Sequence, residues 1–202
     1  MAGTTPRKKK ILCLEGLWDN NLEQCLSVKP LIEIISKLNG IKFTHCPCNT
    51  VSEFQFHLYN FTSSKIASKY SILYLAFHGH SGRIVLSDQE QLNLEDLADL
   101  MGQSFRGWSV LLSCCSILCL GEKRIRNFIK QTEVGLVIGY RKAVDWGESI
   151  SLDLIILDHL VNYSYLAPMR KRIETRYPDL IAATGLRFYE ECQKRKRKRQ
   201  HR

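Results

Sequence analysis

The chain has 202 residues, of which 45% are hydrophobic, which is enough for one well-buried core and too little for two full domains. No apolar run approaches the roughly 20 residues that cross a bilayer, and the basic start lacks a small-residue cleavage site. These features predict a cytoplasmic protein without a signal peptide or a membrane contact. The net charge of +9 comes from 29 basic and 20 acidic residues.

The positive charge is concentrated at the two ends of the chain. Four basic residues stand at positions 7–10 and seven more at positions 194–202, so 18 basic residues remain against 20 acidic ones. We expect disordered basic tails over residues 1–9 and 194–202, and a single domain over residues 10–193. The last run has no aromatic residue for stacking on bases, so we expect it to bind nucleic acid only weakly.

Strand-length apolar runs alternate with segments of helical period along the chain. In chain order, we predict a strand at 10–15, a helix at 30–38, a strand at 41–46, a helix at 50–69, a strand at 71–77, a hairpin strand at 83–86, a helix at 94–101, a strand at 108–113, a helix at 122–131, a strand at 135–140, a helix at 148–163 and a final helical pair interrupted at Pro178. This order predicts an α/β fold: a three-layer sandwich with a mostly parallel central sheet of about five to six strands and helices on both faces.

Two segments that contain potentially catalytic histidine or cysteine residues follow predicted strands directly. One begins at His78 and the other ends at Cys115, 37 positions later, with one hairpin and one helix between them. This gap suits a right-handed crossover between neighbouring parallel strands, whose carboxyl ends carry reactive groups in α/β proteins. A cysteine nucleophile needs a histidine partner and backbone N–H donors for an oxyanion, and Gly79 follows the histidine. Successive strand side chains point to opposite faces, so only one of Cys114 and Cys115 can face the cleft.

The residues of both segments match a known family. The pattern His-Gly-x-x-Gly-x-Ile-x-x-x-Asp from His78 resembles the segment around the catalytic histidine of caspases. Residues 110–115 resemble the nucleophile strand of caspase-like CHAT peptidases, in which a Ser and a small residue precede the Cys. The resemblance spans residues 72–163 and aligns Cys115 with the nucleophile. It departs from metacaspases at two places: His80 competes for the base position, and Ser113 stands where they carry an Asp.

The resemblance implies a cysteine endopeptidase with a histidine–cysteine dyad that acts on protein substrates. Cys115 would attack a peptide carbonyl, His78 would protonate the leaving amine, and the N–H groups of Gly79 and Cys115 would hold the oxyanion. Asp145 would face a basic P1 side chain or cap a helix. A regulatory protein partner and an effector role in bacterial defence or cell death are further implications.

The same residues also bear on other possible functions. The cysteine spacings do not form the paired groups that zinc requires, and no phosphate-binding glycine pattern follows the first strand, so we expect no metal and no cofactor. The alternative is a catalytically inactive caspase-like or flavodoxin-like α/β adaptor or ligand-binding domain whose basic tail binds polyanions. Thiol reactivity separates the two hypotheses, because an activated Cys115 would be labelled before the other cysteines.

Overall fold

The computed structural model describes residues 9–19, 26–87, 90–163 and 165–191. Its strands are β1 (Lys10–Glu15), β2 (Phe43–Pro47), β3 (Tyr70–Ala76), β4 (His78–His80), β5 (Arg83–Val85), β6 (Gln91–Asn93), β7 (Ser109–Ser113), β8 (Leu136–Gly139) and β9 (Arg187–Glu190). Its helices are α1 (Lys29–Asn39), α2 (Val51–Thr62), α3 (Leu94–Met101), α4 (Glu122–Thr132), α5 (Trp146–Asn162), α6 (Leu166–Arg176) and α7 (Pro178–Thr184). The predicted tails lie outside the described residues except for Lys9, whose ammonium group donates to the Tyr163 carbonyl at 3.2 Å.

Six strands of the described chain form the central sheet, in the order β2-β1-β3-β7-β8-β9. The first five of these strands are parallel, and β9 pairs antiparallel with β8 at the edge. The strands β4, β5 and β6 form a separate three-stranded antiparallel sheet. The predicted α/β class and mostly parallel sheet are therefore confirmed.

Helices cover both faces of the central sheet, as three layers require. Helices α2, α3 and α4 pack on one face, whereas α1, α5 and α6 pack on the other. Alternate residues of β7 face the two helical layers. Val110 and Leu112 pack in the core on the side of α2, α3 and α4, whereas Leu111 packs in the core on the other side. Strands buried on both faces are nearly continuous apolar runs for this reason.

Side-chain caps fix several of the predicted helix starts. Thr50 accepts from the Glu53 N–H at 3.1 Å at the start of α2, as its spacing predicted. Asn93 and Asp96 form a reciprocal capping box at the start of α3. At the end of α1, Gly40 adopts a left-handed conformation with φ of 61°, which glycine takes without a steric cost.

One helix end and three short strands differ from their sequence-based predictions, because β4 and β6, like β9, were not predicted. The helix expected to reach residue 69 ends at Thr62, since the hydroxyls of Thr62 and Ser64 bond back to the carbonyls of Leu58 and Phe61. A 3₁₀ turn over Ala67–Lys69 follows it. The strand β9 was not predicted, because its four residues are too few to show a period.

No helix in the described ranges combines the length and the apolar character that crossing a membrane requires.

Candidate active site

The neighbouring strands β3 and β7 bring the two predicted reactive segments together. Ala76 pairs with Ser113 at their carboxyl ends, and the next N–H, from Phe77, donates to the Ser113 carbonyl at 3.2 Å. His78 and Cys115 lie just beyond this point. Both line one pocket of about 140 Å³ at the carboxyl edge of the sheet.

His78 is held by a backbone carbonyl. Its Nε2 lies 2.7 Å from the carbonyl oxygen of Trp18, and the two rings meet edge-on with centroids 5.1 Å apart. A carbonyl oxygen can only accept, so Nε2 must carry the hydrogen. In the neutral ring the acceptor is then Nδ1. The contact therefore fixes both the orientation and the tautomer of a histidine that is otherwise exposed.

The Trp18 segment is itself anchored by the buried carboxylate of Glu15 at the end of β1. This carboxylate accepts from Trp18 Nε1 at 2.6 Å, from the Val28 N–H at 2.6 Å and from the Ser27 hydroxyl at 2.7 Å. His45 Nε2 completes the set at 2.6 Å. Burial alone would raise the pKa of Glu15, but the four hydrogen bonds outweigh burial and hold the pKa below its usual value.

The two adjacent cysteines face opposite sides of the sheet. Cys115 is partly exposed in the pocket, where its Sγ accepts from the Val144 N–H at 3.4 Å and lies 3.6 Å from the Val144 carbonyl. Cys114 is buried in the opposite core, and its thiol donates to the Leu75 carbonyl at 3.7 Å. Burial raises the pKa of the Cys114 thiol well above its usual value, which disfavours a thiolate there.

Gly79 allows the histidine hairpin to lie directly against the cysteine backbone. A Cβ at this position would lie 2.6 Å from the Cys115 carbonyl oxygen and 2.8 Å from the Cys114 Cβ. The hairpin turns at Ser81 and Gly82, with φ of 47° and 77°, as in a two-residue type I′ loop.

The hairpin register also sets the direction of the Gly79 N–H. Residues that flank a two-residue loop form a hydrogen-bonded pair, and the next pair outward does not. Here His80 and Arg83 flank the loop, so Gly79 opposite Ile84 directs its N–H away from β5. No backbone carbonyl in the described ranges accepts the N–H of Cys115. Neither the hairpin ladder nor a backbone carbonyl therefore uses these two N–H groups, and Cys115, unlike Gly79, contributes to the described pocket lining.

Two further candidate residues lie away from the pocket. His80 is exposed and does not contribute to the described pocket lining, so the structure brings His78 rather than His80 to Cys115. Asp145 is the N-cap of α5, where its carboxylate accepts from the N–H groups of Gly147 and Glu148 at 2.8 and 3.4 Å. Of the two roles expected for Asp145, the structure therefore shows the helix cap.

The floor of the pocket contains a buried carboxylate that the sequence did not single out. Asp153 of α5 accepts from the hydroxyls of Tyr74 at 2.7 Å, Ser113 at 2.5 Å and Tyr140 at 2.6 Å. Burial raises the pKa of Asp153 to about 6, although the three hydrogen bonds act in the opposite direction and lower it. Apolar side chains, among them Val28, form the walls of the pocket.

Sequence reasoning had one usable signal for Asp153 and none for Trp18. An acidic residue between the apolar neighbours Leu152 and Leu154 of a helix could have marked a polar group turned inward. Trp18 acts on His78 through its backbone, which every residue type possesses. Across the described ranges, no three His, Cys, Asp or Glu side chains group as a metal site would require.

Comparison with known proteins gives a family and a fold. A family model described as a family of unknown function (DUF6642) matches residues 8–190. The chain belongs to this family. No curated protein matches the DUF6642 chain in sequence. Among solved structures, it is similar to the Drosophila initiator caspase Dronc, with a TM-score of 0.51 and 10% identity over 83% of this chain and 72% of that one. A similarity at this identity shows that the DUF6642 chain shares a caspase-like fold.

Proposed function

We propose that this protein is a cysteine endopeptidase that cleaves protein substrates with a dyad of His78 and Cys115. The observation that carries the proposal is that both side chains line one pocket at the carboxyl ends of adjacent parallel strands. The histidine is also oriented by a third group, the Trp18 carbonyl, at 2.7 Å. A nucleophile, a base and a group that orients the base are the parts of a nucleophilic active site.

The chemistry of these groups defines the proposed reaction. Nδ1 of His78 takes the proton from the Cys115 thiol, and the thiolate attacks the peptide carbonyl carbon. The N–H groups of Gly79 and Cys115 stabilise the oxyanion of the tetrahedral intermediate. The imidazolium then gives its proton to the leaving amine as the C–N bond breaks, and water hydrolyses the remaining thioester.

The proposed reactivity of Cys115 can be compared with that of a second thiol in the same chain. Cys119 provides the internal reference, because it is more exposed than Cys115 but does not line the pocket. Exposure alone would therefore make Cys119 the faster thiol.

The test is thiol labelling at limiting iodoacetamide, followed by peptide mapping. We expect Cys115 to be labelled first, and His78→Ala to slow its labelling by roughly 100-fold, as loss of a general base does. The matched control is His80→Ala, which removes an imidazole two residues away and leaves the rate unchanged. If Cys115 reacts no faster than Cys119, the chain is a catalytically inactive domain instead.

Cleavage itself is tested by digesting a peptide library with the wild type and with Cys115→Ala. New termini that appear with the wild type and not with the variant support endopeptidase activity. Identical digests from both proteins would contradict it.

A further inference from the structure

The carboxylate of Asp153 is buried without a cationic partner. Its residue is 1% exposed, and its three hydrogen-bond donors are all neutral hydroxyls. Among the described Lys, Arg and His side chains, none forms an ion pair with it. Since its pKa is about 6, the group is mostly ionised at neutral pH. Buried charges in proteins are ordinarily paired, so a negative charge of this kind favours a cationic ligand.

The carboxylate has room for one more hydrogen bond. An ionised carboxylate offers about four lone-pair positions. Tyr74 and Ser113 occupy the two positions on Oδ2, whereas Tyr140 occupies one position on Oδ1. Asp153, Ser113 and Tyr140 all line the pocket. The unused lone pair on Oδ1 therefore belongs to a carboxylate that borders the pocket.

A basic side chain is long enough to reach Asp153 from the position of Cys115. Ser113, the last residue of β7, bonds to Asp153 and precedes Cys115 by two residues. Cys115 lies in the turn that follows, so its Cα is at most about 7 Å from the Cα of Ser113. A Lys side chain has five bonds from Cα to Nζ and extends about 6 Å. The pocket of about 140 Å³ is also close to the ~150 Å³ cavity that accommodates a benzene molecule, so it takes one side chain.

Resting on the proposed peptidase function, we infer that Asp153 is the specificity-determining residue of this site and selects substrates with a basic P1 side chain. The P1 ammonium group enters between the apolar walls and donates to Oδ1 of Asp153. An acidic P1 side chain is repelled by the same charge. A P1 side chain of equal length without charge fills the pocket but leaves the carboxylate unpaired.

The experiment uses three tripeptide chloromethyl ketones that differ only at P1: Lys, norleucine and Glu. The Cys115 thiolate displaces chloride and forms a thioether, so the second-order rate of alkylation is read by mass spectrometry without turnover. For the wild type we expect the Lys probe to react about 100-fold faster than the norleucine probe, and the Glu probe to be slowest. A Lys-to-norleucine ratio near one, or a faster Glu probe, overturns the inference.

Variants then test the residue itself. Asp153→Asn removes the charge at nearly constant shape and should bring the Lys-to-norleucine ratio close to one. Glu148→Gln removes an acidic charge from the same helix outside the pocket and should leave the ratio unchanged. If Asp153→Asn keeps the wild-type ratio, another group selects P1. The wild-type ratio decides the inference even if that variant fails to fold.

The outcomes also separate this inference from the proposed function. Equal alkylation of Cys115 by all three probes, ahead of Cys119, supports the peptidase and overturns the P1 selectivity. Failure of every probe to label Cys115 ahead of Cys119 overturns both.

Discussion

The two buried carboxylates near the pocket, Glu15 and Asp153, have similar exposure but opposite pKa shifts. Glu15 is 4% exposed and Asp153 is 1% exposed. The Glu15 carboxylate accepts from three N–H groups and one hydroxyl, and its pKa is lowered. The Asp153 carboxylate accepts from three hydroxyls alone, and burial raises its pKa to about 6.

The difference shows that the kind of donor decides what a buried carboxylate does. The Trp18 and Val28 N–H groups can only donate, so they depend on Glu15 and hold it ionised. Hydroxyls also accept, so those around Asp153 can serve either a charged or a neutral partner. Glu15 therefore has a structural role, whereas the inferred role of the Asp153 charge is to bind a ligand.

The largest expected effect is on stability. Glu15→Ala leaves the buried N–H of Val28 and the part-buried Nε1–H of Trp18 without their acceptor, and we expect it to lower the free energy of unfolding by about 3 kcal/mol. Asp153→Asn keeps the floor filled, and the hydroxyls can turn to accept from its amide, so we expect a loss of about 1 kcal/mol. Urea unfolding at pH 7 measures both. Equal losses would contradict the distinction.

The second effect is an opposite dependence of stability on pH. The native pKa of Asp153 is about 6 against 3.8 in a free side chain, so the native state binds a proton that the unfolded state releases between these values. Its contribution to stability therefore falls by about 2 kcal/mol as pH rises from 4 to 6. Glu15, with a lowered pKa, contributes stability that is lost as pH falls through its native pKa.

Subtracting variants isolates the Asp153 contribution. The stability of the wild type minus that of Asp153→Asn, followed by urea unfolding from pH 4 to 7, should decrease with rising pH. A flat difference would mean that Asp153 titrates with an ordinary pKa.

The third effect is on P1 selection. Below about pH 6 the Asp153 carboxyl becomes protonated, so the Lys-to-norleucine ratio of alkylation rates should fall by up to about tenfold for each further pH unit. Tyr74 and Tyr140, which contact it, stay neutral there because burial raises their pKa values. Any change in the general reactivity of the thiol acts on both probes and cancels in the ratio. A ratio that does not change between pH 5 and 8 would contradict selection by charge.

The smallest effect links Glu15 to the histidine. Trp18→Phe keeps an aromatic ring but removes the Nε1 donor to Glu15, which loosens the carbonyl that orients His78. We expect Cys115 to be labelled by iodoacetamide about tenfold more slowly. The matched control is Trp108→Phe, in the core on the opposite face of the sheet, which should leave the labelling rate unchanged. The same rate in both variants would mean that the Trp18 side chain does not position its carbonyl.

The sequence predicted the features that follow from periodicity and strand order. The apolar runs gave the parallel strands β3 and β7, and the gap between His78 and Cys115 predicted that these strands are neighbours. Both reactive segments lie at strand ends for the same reason. The choice of Cys115 over Cys114 came from the family resemblance, because alternation alone states only that one of them turns away.

The phase of helix α5 could not be read in the same way. In the sequence, Ile150, Leu154, Leu157 and Val161 form one apolar stripe, which predicts the buried face of this helix. The structure buries Leu157 and Val161 but leaves Ile150 and Leu154 half-exposed, and it also buries Leu152, Asp153 and Ile156. A helix that is apolar around most of its circumference has no sharp periodic signal, so packing sets its rotation. Asp153 was missed for this reason.

The pocket is assembled from two independent parts of the chain. The proposed nucleophile and its histidine follow strand ends, whereas Asp153 belongs to α5. Under the proposed function, a single substitution at position 153 changes which substrates are accepted without moving His78 or Cys115. In homologous chains, we therefore expect the residue at this helical position to vary with the preferred P1 side chain, while the histidine and the cysteine are retained.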